Sequence, residues 1–302
     1  SQNLTNTVTP TRKLIVGNSP QLDNDLNGDI DEISIWNRIL TATEITAIYN
    51  SGTGEILSTI QTVGASEKDS VTDIPSGTRW HETDTKKIFR YGTDLVDGDG
   101  LKCYIKFDDA SGNPVNTAGD VAGNDTLGSS ADMTITGTGT IDYETTGLPS
   151  ELETGMEFPS TSATSGRHGV FGSSLSQFNF LHGGGTSTTF TICFWAKYPT
   201  TAYNNQCILR TNEGDTGAGI NLYHYQAPSG GSNGDGGCRC FISRQNGGNN
   251  QAIEGYSNGG FYLFDDAWHF YSFQCDWSAG SAKLKIKRDY SNANQSFNQN
   301  GS

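Results

Sequence analysis

The chain comprises 302 residues, enough for one large domain or two ordinary ones with a sizeable core. Hydrophobic residues make up only 33% and charged residues 17%, whereas glycine occupies 38 positions. The formal net charge of −14 argues against nucleic acid and anionic membrane surfaces as partners, because both are bound by basic surfaces. No apolar run approaches the ~20 residues of a membrane span, so we expect no membrane insertion.

Composition also indicates the class of fold. Thr, Gly, Asn and aromatic residues are abundant in short alternating runs, a pattern typical of β-strands joined by long polar loops. The 14 Phe, 12 Tyr and 5 Trp can build a core, so the low hydrophobic fraction does not predict disorder. An acidic chain with N-x-[ST] sequences suits an extracellular, cell-surface or virion-exposed protein; these sequences begin at Asn3, Asn124, Asn294 and Asn300.

The first 55 residues are predicted to contain two strands and a helix. Residues 12–16 and 29–36 have the alternating pattern of strands, and an acidic turn separates them. Thr41 and Glu44 form a capping box, in which the hydroxyl and the carboxylate each accept a hydrogen bond from a backbone N–H at the start of a helix. An apolar stripe at helical spacing predicts that the helix packs on a sheet; its members are Leu40, Ile45, Ile48 and Tyr49.

Residues 56–99 form a connector with one recognisable element. Residues 77–91 alternate in the manner of a β-hairpin that turns near Thr83 and Asp84. Because an isolated two-stranded hairpin is marginally stable in water, we expect it to dock on another surface.

From about Gly100 the chain is predicted to be a succession of strands separated by long, glycine-rich loops. The clearest strands lie at 101–107, 133–135, 190–196, 207–210, 219–225, 238–243, 268–276 and 283–287. Strands at this spacing without intervening helices indicate an all-β sandwich or jelly roll.

Several of these segments resemble a known family. Leu26-Asn-Gly-Asp-Ile-Asp-Glu-Ile-Ser-Ile-Trp-Asn-Arg-Ile-Leu40, together with the capped helix, is similar to the closing segment of a laminin-G-like, concanavalin A-like jelly roll. Residues 101–112 resemble the opening strand of the same family. Residues 189–197 and 267–273 resemble its middle strands.

The family's segments stand in an unusual order, because the closing piece at 1–55 precedes the opening and middle pieces at 100–302. The resemblance implies one all-β jelly roll assembled from these two parts, with 56–99 as the connector. Three arrangements would complete it: a circularly permuted domain, an exchange of residues 1–55 between neighbouring chains, or an excerpt from a tandem array of domains. In each case something must cover the open edge of the half-sandwich.

The hairpin region at 77–91 resembles a short motif of structural proteins of phages and other viruses. Together with the jelly-roll resemblance, it implies a non-enzymatic structural and adhesive subunit of a virion fibre or extracellular filament. Such a subunit would assemble with its own copies by strand complementation. The alternatives are a monomeric carbohydrate-binding module, with cell-surface glycans as partners, and a glycoside hydrolase or lyase.

A calcium site is expected in the acidic turn between the first two strands. Asp23, Asp25 and Asn27 supply oxygen atoms at positions 1, 3 and 5 of a calcium-loop pattern, and Asp31 occupies position 9. Position 12 lacks the bidentate glutamate and no second helix follows, so the loop is not an EF-hand. The jelly-roll resemblance itself implies calcium at a loop rim, and an ordinary acidic turn is the alternative.

Catalytic residues are not expected. Asp29 and Asp31 lie two apart on a strand and share a face, as a pair of catalytic carboxylates must. The glucanases of this fold class carry Glu-x-Asp-x-x-Glu, however, and Gly28 and Ser34 break that pattern here. The histidines form no triad with a recognisable nucleophile, and His269 is interpreted as a core or interface residue.

Aromatic and cysteine residues leave two further questions open. Tyr223 and Tyr225 share a strand face opposite the aliphatic residues, so they line a carbohydrate groove if the aliphatic side faces the core. The six cysteines allow either disulfides or buried free thiols. Cys193 and Cys207 lie on consecutive predicted strands and could face each other.

Overall fold

Two antiparallel β-sheets account for most of the chain. The computed structural model describes residues 12–17, 26, 28–49, 52, 78–82, 87–91, 100–108, 112–118, 127–137, 142–144, 148–149, 152, 154–158, 168–182, 188–199, 206–211, 219–225, 237–243, 252–256, 265–278, 281–289 and 295–296. In these ranges there is one α-helix of eight residues, and no helix is long and apolar enough to cross a bilayer.

The elements are numbered in chain order. Those of the first hundred residues are β1 (Leu14–Val16), β2 (Gly28–Trp36), α1 (Ala42–Tyr49), β3 (Thr78–Glu82) and β4 (Lys87–Tyr91). The remaining strands are β5 (Leu101–Ile105), β6 (Met133–Thr136), β7 (Asp142–Glu144), β8 (Gly155–Phe158), β9 (His168–Phe171), β10 (Thr188–Lys197), β11 (Gln206–Arg210), β12 (Gly219–Tyr225), β13 (Gly237–Ser243), β14 (Ala252–Tyr256), β15 (Trp268–Ser278), β16 (Ser281–Arg288) and β17 (Gln295–Ser296).

The strands form two large sheets and one separate hairpin. The seven-stranded sheet has the order β14-β13-β12-β11-β1-β9-β6. The eight-stranded sheet has the order β17-β16-β15-β10-β2-β8-β7, and β5 also pairs with β2. Every pairing between described strands is antiparallel. The fold is therefore an all-β sandwich, as the composition predicts.

The main hydrophobic core lies between the two sheets. Both contribute side chains that are almost fully buried, among them Leu14, Val16, Ile220 and Leu222 from the seven-stranded sheet and Ile30, Ile192, Phe194 and Phe273 from the eight-stranded sheet. The rings of Phe194 and Phe273 stack with centroids 5.7 Å apart. Removing this apolar surface from water supplies the main driving force for bringing the sheets together.

The two strands from the first 50 residues each occupy an interior position in one of the large sheets: β1 in the seven-stranded sheet and β2 in the eight-stranded sheet. β1 lies between β11 and β9, and β2 pairs with β10 on one side and with β5 and β8 on the other. The single chain thus covers the open edges that residues 100–302 would otherwise leave, as a permuted domain requires. An exchange between copies would make the same pairings between two chains.

The eight-stranded sheet is also covered on its outer face. The helix α1 places Ile45 and Ile48 against Trp36, Trp195 and Phe270, which form a second apolar cluster on that face. All nine residues of β2 are buried: Trp36 lies in this cluster, and Ile30, Ile33 and Ile35 lie in the core between the sheets.

The predicted capping box of α1 is confirmed. The backbone N–H of Glu44 donates a 3.2 Å hydrogen bond to the hydroxyl of Thr41, and the backbone N–H of Thr41 donates a 2.7 Å bond to the Glu44 carboxylate. The Arg38 guanidinium lies 2.6 Å from the same carboxylate. These contacts fix the start of the helix and its approach to the sheet.

The hairpin predicted at 77–91 is confirmed as β3 and β4. Their register places Trp80 opposite Phe89 and Arg79 opposite Arg90. Among the described strands, neither β3 nor β4 pairs with a strand of the two large sheets.

Candidate metal centre

Three carboxylates converge beside β2 in the eight-stranded sheet. Asp31 and Glu32 lie on β2, and Asp108 follows β5, which pairs with β2. One oxygen from each of the three groups lies within 4.8 Å of the other two. A single cation placed between them would contact all three.

A bulge in β2 explains how two consecutive residues contribute to one site. Ser34 pairs with Cys193 and Asp31 pairs with Trp195, so β2 contains one residue more than β10 between the two pairs. Glu32 has a φ of 52°, in the left-handed region that non-glycine residues seldom adopt. In a regular strand, neighbouring side chains point to opposite faces, whereas a bulge redirects one of them. The carboxylates of Asp31 and Glu32 can therefore meet.

Asp31 is more deeply buried than the other two carboxylates of the cluster. Its side chain is fully buried, and Glu32 is only 5% exposed. Asp31 Oδ1 accepts a 2.8 Å hydrogen bond from the backbone N–H of Glu32, but Oδ2 accepts none. A buried carboxylate oxygen without a hydrogen bond is costly, so Oδ2 marks a position that an additional group would satisfy.

The electrostatics of Asp31 also favour a positively charged group beside its carboxylate. Burial raises the pKa of Asp31 well above its ordinary value, and the nearby charges of Glu32 and Asp108 raise it further. Ionising all three groups without a counter-charge is unfavourable in a site with little access to water. A divalent cation would remove that repulsion and favour the ionised form.

The neighbouring strands enclose the site tightly. A β-carbon added at Gly155 in β8 would lie 2.6 Å from Cη2 of Trp268 and 3.5 Å from Cβ of Asp31. Only glycine leaves room for the indole ring at this position. Trp268 can therefore approach Asp31 closely and help to exclude water from the carboxylate.

The chemistry of the three side chains suits one class of ion. Three carboxylates and no imidazole or thiolate are typical of hard cations such as Ca²⁺, Mg²⁺ or Mn²⁺. Two of the three ligands come from the first 50 residues and the third from the region after residue 100. A bound cation would thus connect the two parts of the sandwich.

The sequence analysis named one of these three carboxylates as a metal ligand, and that prediction stays untested. Asp31 was expected to bind calcium together with Asp23, Asp25 and Asn27, which lie outside the described residues. Glu32 and Asp108 were not expected. Adjacent residues in a strand point apart, and Asp108 reaches the site only through the pairing of β5 with β2. The one available signal was the run of acidic residues at the start of the second strand.

The predicted carbohydrate residues give a mixed result. Ile220 and Leu222 do face the core, which was the condition for the two tyrosines to line a groove. Tyr223 is only 6% exposed, so it offers little ring surface for stacking on a sugar. Tyr225 is part of β12, but its side chain lies outside the described structure.

Every cysteine whose side chain is described is a free thiol, which is one of the two alternatives left open by the sequence. Five thiols are buried and form no disulfide: those of Cys103, Cys193, Cys207, Cys240 and Cys275. Cys193 and Cys207 belong to different sheets and form no disulfide. Burial raises the pKa of the Cys103 and Cys193 thiols, which makes them poor nucleophiles.

Two histidines have unusual surroundings. His269, whose side chain is 14% exposed, contacts Asp289 through Nδ1 and lies 2.9 Å from Asp265 through Nε2. His182 is fully buried, and neither of its ring nitrogens has a hydrogen-bond partner. Burial lowers the pKa of His182 to about 4, so it is neutral near pH 7.

The fold and this site define an all-β sandwich with a candidate centre for a hard divalent cation. Comparison with known proteins finds no match: no family model fits the sequence, and no curated protein and no solved structure is significantly similar to it. The function must therefore be argued from this chain's own residues.

Proposed function

We propose that this chain is a non-enzymatic structural and adhesive subunit of a virion fibre or extracellular filament. In this proposal it is a laminin-G-like, concanavalin A-like jelly roll in which a bound calcium ion stabilises the sandwich. The observation that carries the proposal is the buried Asp31 carboxylate, whose Oδ2 has no hydrogen bond and which lies beside Glu32 and Asp108.

Calcium fits the centre better than magnesium does. Ca²⁺ accepts six to eight oxygen ligands in flexible geometry, whereas Mg²⁺ demands a regular octahedron and usually retains several waters. Carboxylates bind Ca²⁺ through one or both of their oxygens, so the three groups here can supply much of its coordination shell. Carboxylates on two elements that are far apart in sequence suit an ion that tolerates irregular geometry.

The burial of the carboxylates favours a structural role over catalysis. A glycosidase must present its two carboxyl groups to a sugar in an open cleft. Asp31 is fully buried and Glu32 is 5% exposed, so neither offers an oxygen to a polysaccharide. The same two groups are well placed to hold an ion inside the protein.

The pairings of β1 and β2 could also form between copies. Both strands lie between strands from residues 100–302, so residues 1–55 complete the sandwich by β-pairing. A neighbouring chain can accept the same strands in the same positions, which would join the copies into a polymer. A cation shared by Asp31, Glu32 and Asp108 would strengthen such a junction.

The test measures thermal unfolding and molar mass in the presence of Ca²⁺, Mg²⁺ or a chelator. At a free Ca²⁺ concentration about 100 times the Kd, we expect roughly 2.7 kcal/mol of added stability in the native chain. Asp31→Asn should lose this response. Asp266→Asn, which removes an exposed carboxylate, is the matched control and should retain it.

Two results would count against the proposal. A native chain whose unfolding midpoint is the same with Ca²⁺ and with chelator has no calcium centre. A chain that stays monomeric at every concentration tested does not assemble. Cleavage of a polysaccharide that Asp31→Asn abolishes would instead support an enzyme.

A further inference from the structure

Asp31 and Glu32 lie in a gap between two strands that pair with the same side of β2. β5 pairs with residues 33–36 of β2, and β8 pairs with residues 28–30. Among the described strands, none pairs with Asp31 or Glu32 on this side. Because both pairings are antiparallel, the residues that follow β5 and those that precede β8 both reach this gap. The carboxylate cluster therefore sits where three stretches of chain meet.

The chain makes an unusual turn at Phe107, directly before Asp108. Phe107 has a φ of 58°, a value that bulky residues rarely adopt, and its side chain is buried in the core between the sheets. Such a backbone is unfavourable and persists only where the surrounding contacts enforce it. Some contact must therefore hold the chain in this turn just before it supplies the Asp108 carboxylate.

The hydroxyl of Thr154 makes that contact. It donates a 2.6 Å hydrogen bond to the backbone carbonyl of Phe107, which is 47 residues earlier in the chain. The carbonyl of Phe107 and the N–H of Asp108 belong to one planar peptide unit, so fixing the oxygen fixes the plane from which Asp108 starts. Thr154 also directly precedes Gly155, whose Cα lies close to the side chain of Asp31. The segment before β8 thus lies against two of the three carboxylates or their backbone.

We propose that Thr154 is a positioning residue of the cation centre, which holds the Asp108 carboxylate in place for Ca²⁺. The inference rests on the proposed function, since it assumes that the centre binds calcium. The buried Asp31 Oδ2, which accepts no hydrogen bond, is the independent sign that the cluster receives a further group. Groups that orient a metal ligand contribute to affinity, because a ligand already in place loses less freedom on binding.

The first experiment measures the Ca²⁺ affinity of the full-length native chain and three variants by competition with a calcium-indicator dye. Thr154→Val removes the hydroxyl and keeps the shape of the side chain, whereas Thr154→Ser keeps the hydroxyl. The matched control is Thr117→Val. The Thr117 hydroxyl donates to the carbonyl of Tyr104 in β5, and its backbone N–H donates a 2.8 Å bond to the same oxygen. Unfolding in chelator, measured for each chain, separates a loss of stability from a loss of affinity.

We expect Thr154→Val to raise the Kd for Ca²⁺ at least about tenfold, as is usual when a group that orients a metal ligand is lost. Thr154→Ser and Thr117→Val should bind Ca²⁺ as the native chain does. Equal Kd values for Thr154→Val and Thr117→Val would overturn the inference and leave the proposed function intact. A serine variant as weak as the valine variant would overturn it as well. A native chain that binds no Ca²⁺ removes both.

A second experiment asks whether Thr154 acts through Asp108. Thr154→Val is combined with Asp108→Asn, and the Kd values of the native chain, both single variants and the double variant form a double-mutant cycle. If the hydroxyl works by placing that carboxylate, Thr154→Val should change the Kd by less than about twofold once Asp108 is asparagine. An undiminished loss of affinity in the Asp108→Asn chain would overturn the inference.

Hydrogen exchange in the native chain gives a third measurement that depends on no substitution. Ca²⁺ should slow the exchange of the backbone amides of residues 154–156 more than that of residues 116–118, because only the former are linked to a ligand through the Thr154 hydroxyl. Equal slowing in the two segments would overturn the inference, even if Thr154→Val does not fold.

Discussion

The backbone N–H of Glu32 donates a 2.8 Å hydrogen bond to the carboxylate of Asp31, the residue immediately before it. This bond leaves Asp31 Oδ2 directed elsewhere and holds the bulge that brings the Glu32 side chain alongside. The two residues thus act as a unit: one supplies the acceptor that stabilises the bulge, and the other adopts the left-handed backbone that the bulge needs.

The backbone and the side chain of Glu32 can be tested separately by Glu32→Gly. Glycine adopts a positive φ without strain, so with chelator present we expect this variant to be more stable than the native chain by about 1 kcal/mol. The same variant lacks a carboxylate and should lose most of the Ca²⁺-dependent stabilisation. Urea unfolding with and without Ca²⁺ measures both effects. A variant that is less stable in chelator and keeps its Ca²⁺ response would refute this account of the bulge.

The capping box predicts a defined cost for Thr41→Ala. Loss of the hydroxyl leaves the Glu44 backbone N–H without its acceptor, and we expect a destabilisation of about 1 kcal/mol. Thr43→Ala, at an exposed position in the same helix, is the control and should be neutral or slightly stabilising because alanine favours helices. Equal effects of the two substitutions in denaturant titrations would exclude a capping role.

Burial of His182 predicts a loss of stability in acid. Its folded pKa is about 4, below the ordinary value of 6.5, so the unfolded chain binds the proton more readily. Stability should therefore fall as the pH drops from about 6.5 to about 4, by roughly 3 kcal/mol from this residue. His182→Phe removes the titrating group at similar size and should flatten this part of the pH profile. An unchanged profile in the variant would assign acid sensitivity to other groups.

The contribution of His269 to stability should fall as the pH rises, opposite to that of His182. Burial lowers its pKa, but hydrogen bonds and charges from Asp289 and Asp265 outweigh this effect, and the pKa is raised. Its contribution to stability is fully present below the unfolded pKa of 6.5 and is lost as the pH rises through the folded value. Tyr271 lies beside the His269 ring, and Arg288 lies beside Asp289. Both residues are kept in the variant described next.

Asp289→Asn isolates the charge of that partner. The Oδ1 atom of Asp289 accepts a hydrogen bond from the backbone N–H of Phe270, and asparagine can keep this acceptor. An NMR titration should show a lower pKa for His269 in the variant than in the native chain. If the titration midpoint of His269 does not move, the contact with Asp289 does not govern its protonation.

Local patterns in the sequence predicted much of the fold. The strand at 219–225 is β12 as expected, and the Thr41–Glu44 pair marks the start of α1. These features depend on neighbouring residues, which a sequence displays directly. Short strands without clear alternation were missed, namely β7, β8, β9, β14 and β17. β8, for example, begins with Gly155, a residue that disfavours strands unless close packing requires it.

The candidate site was less accessible to sequence reasoning. Asp31 was selected as a ligand because it occupies position 9 of a calcium-loop pattern. Its neighbours Glu32 and Asp108 depend instead on a bulge and on a pairing between distant strands. Glu32 would point away from Asp31 in a regular strand, and Asp108 is far away in the sequence. Irregular backbone and long-range pairing are properties of the tertiary structure, so periodicity could not reveal them.

The interior position of β2 has a consequence for the kinetics of folding. The hydroxyl of Ser34 in β2 donates a hydrogen bond to the backbone carbonyl of Cys193 in β10, which is 159 residues further along the chain. Such distant pairing requires a large loop to close first, so we expect folding in the slow range of all-β proteins, milliseconds to seconds. At ribosomal rates of about 5–20 residues per second, β2 waits roughly ten to thirty seconds for its partner during synthesis. Throughout that interval the edge of β2 that pairs with β10 is left open, even after β5 and β8 have been made. It is then that the chain is most prone to aggregate or to pair with another copy.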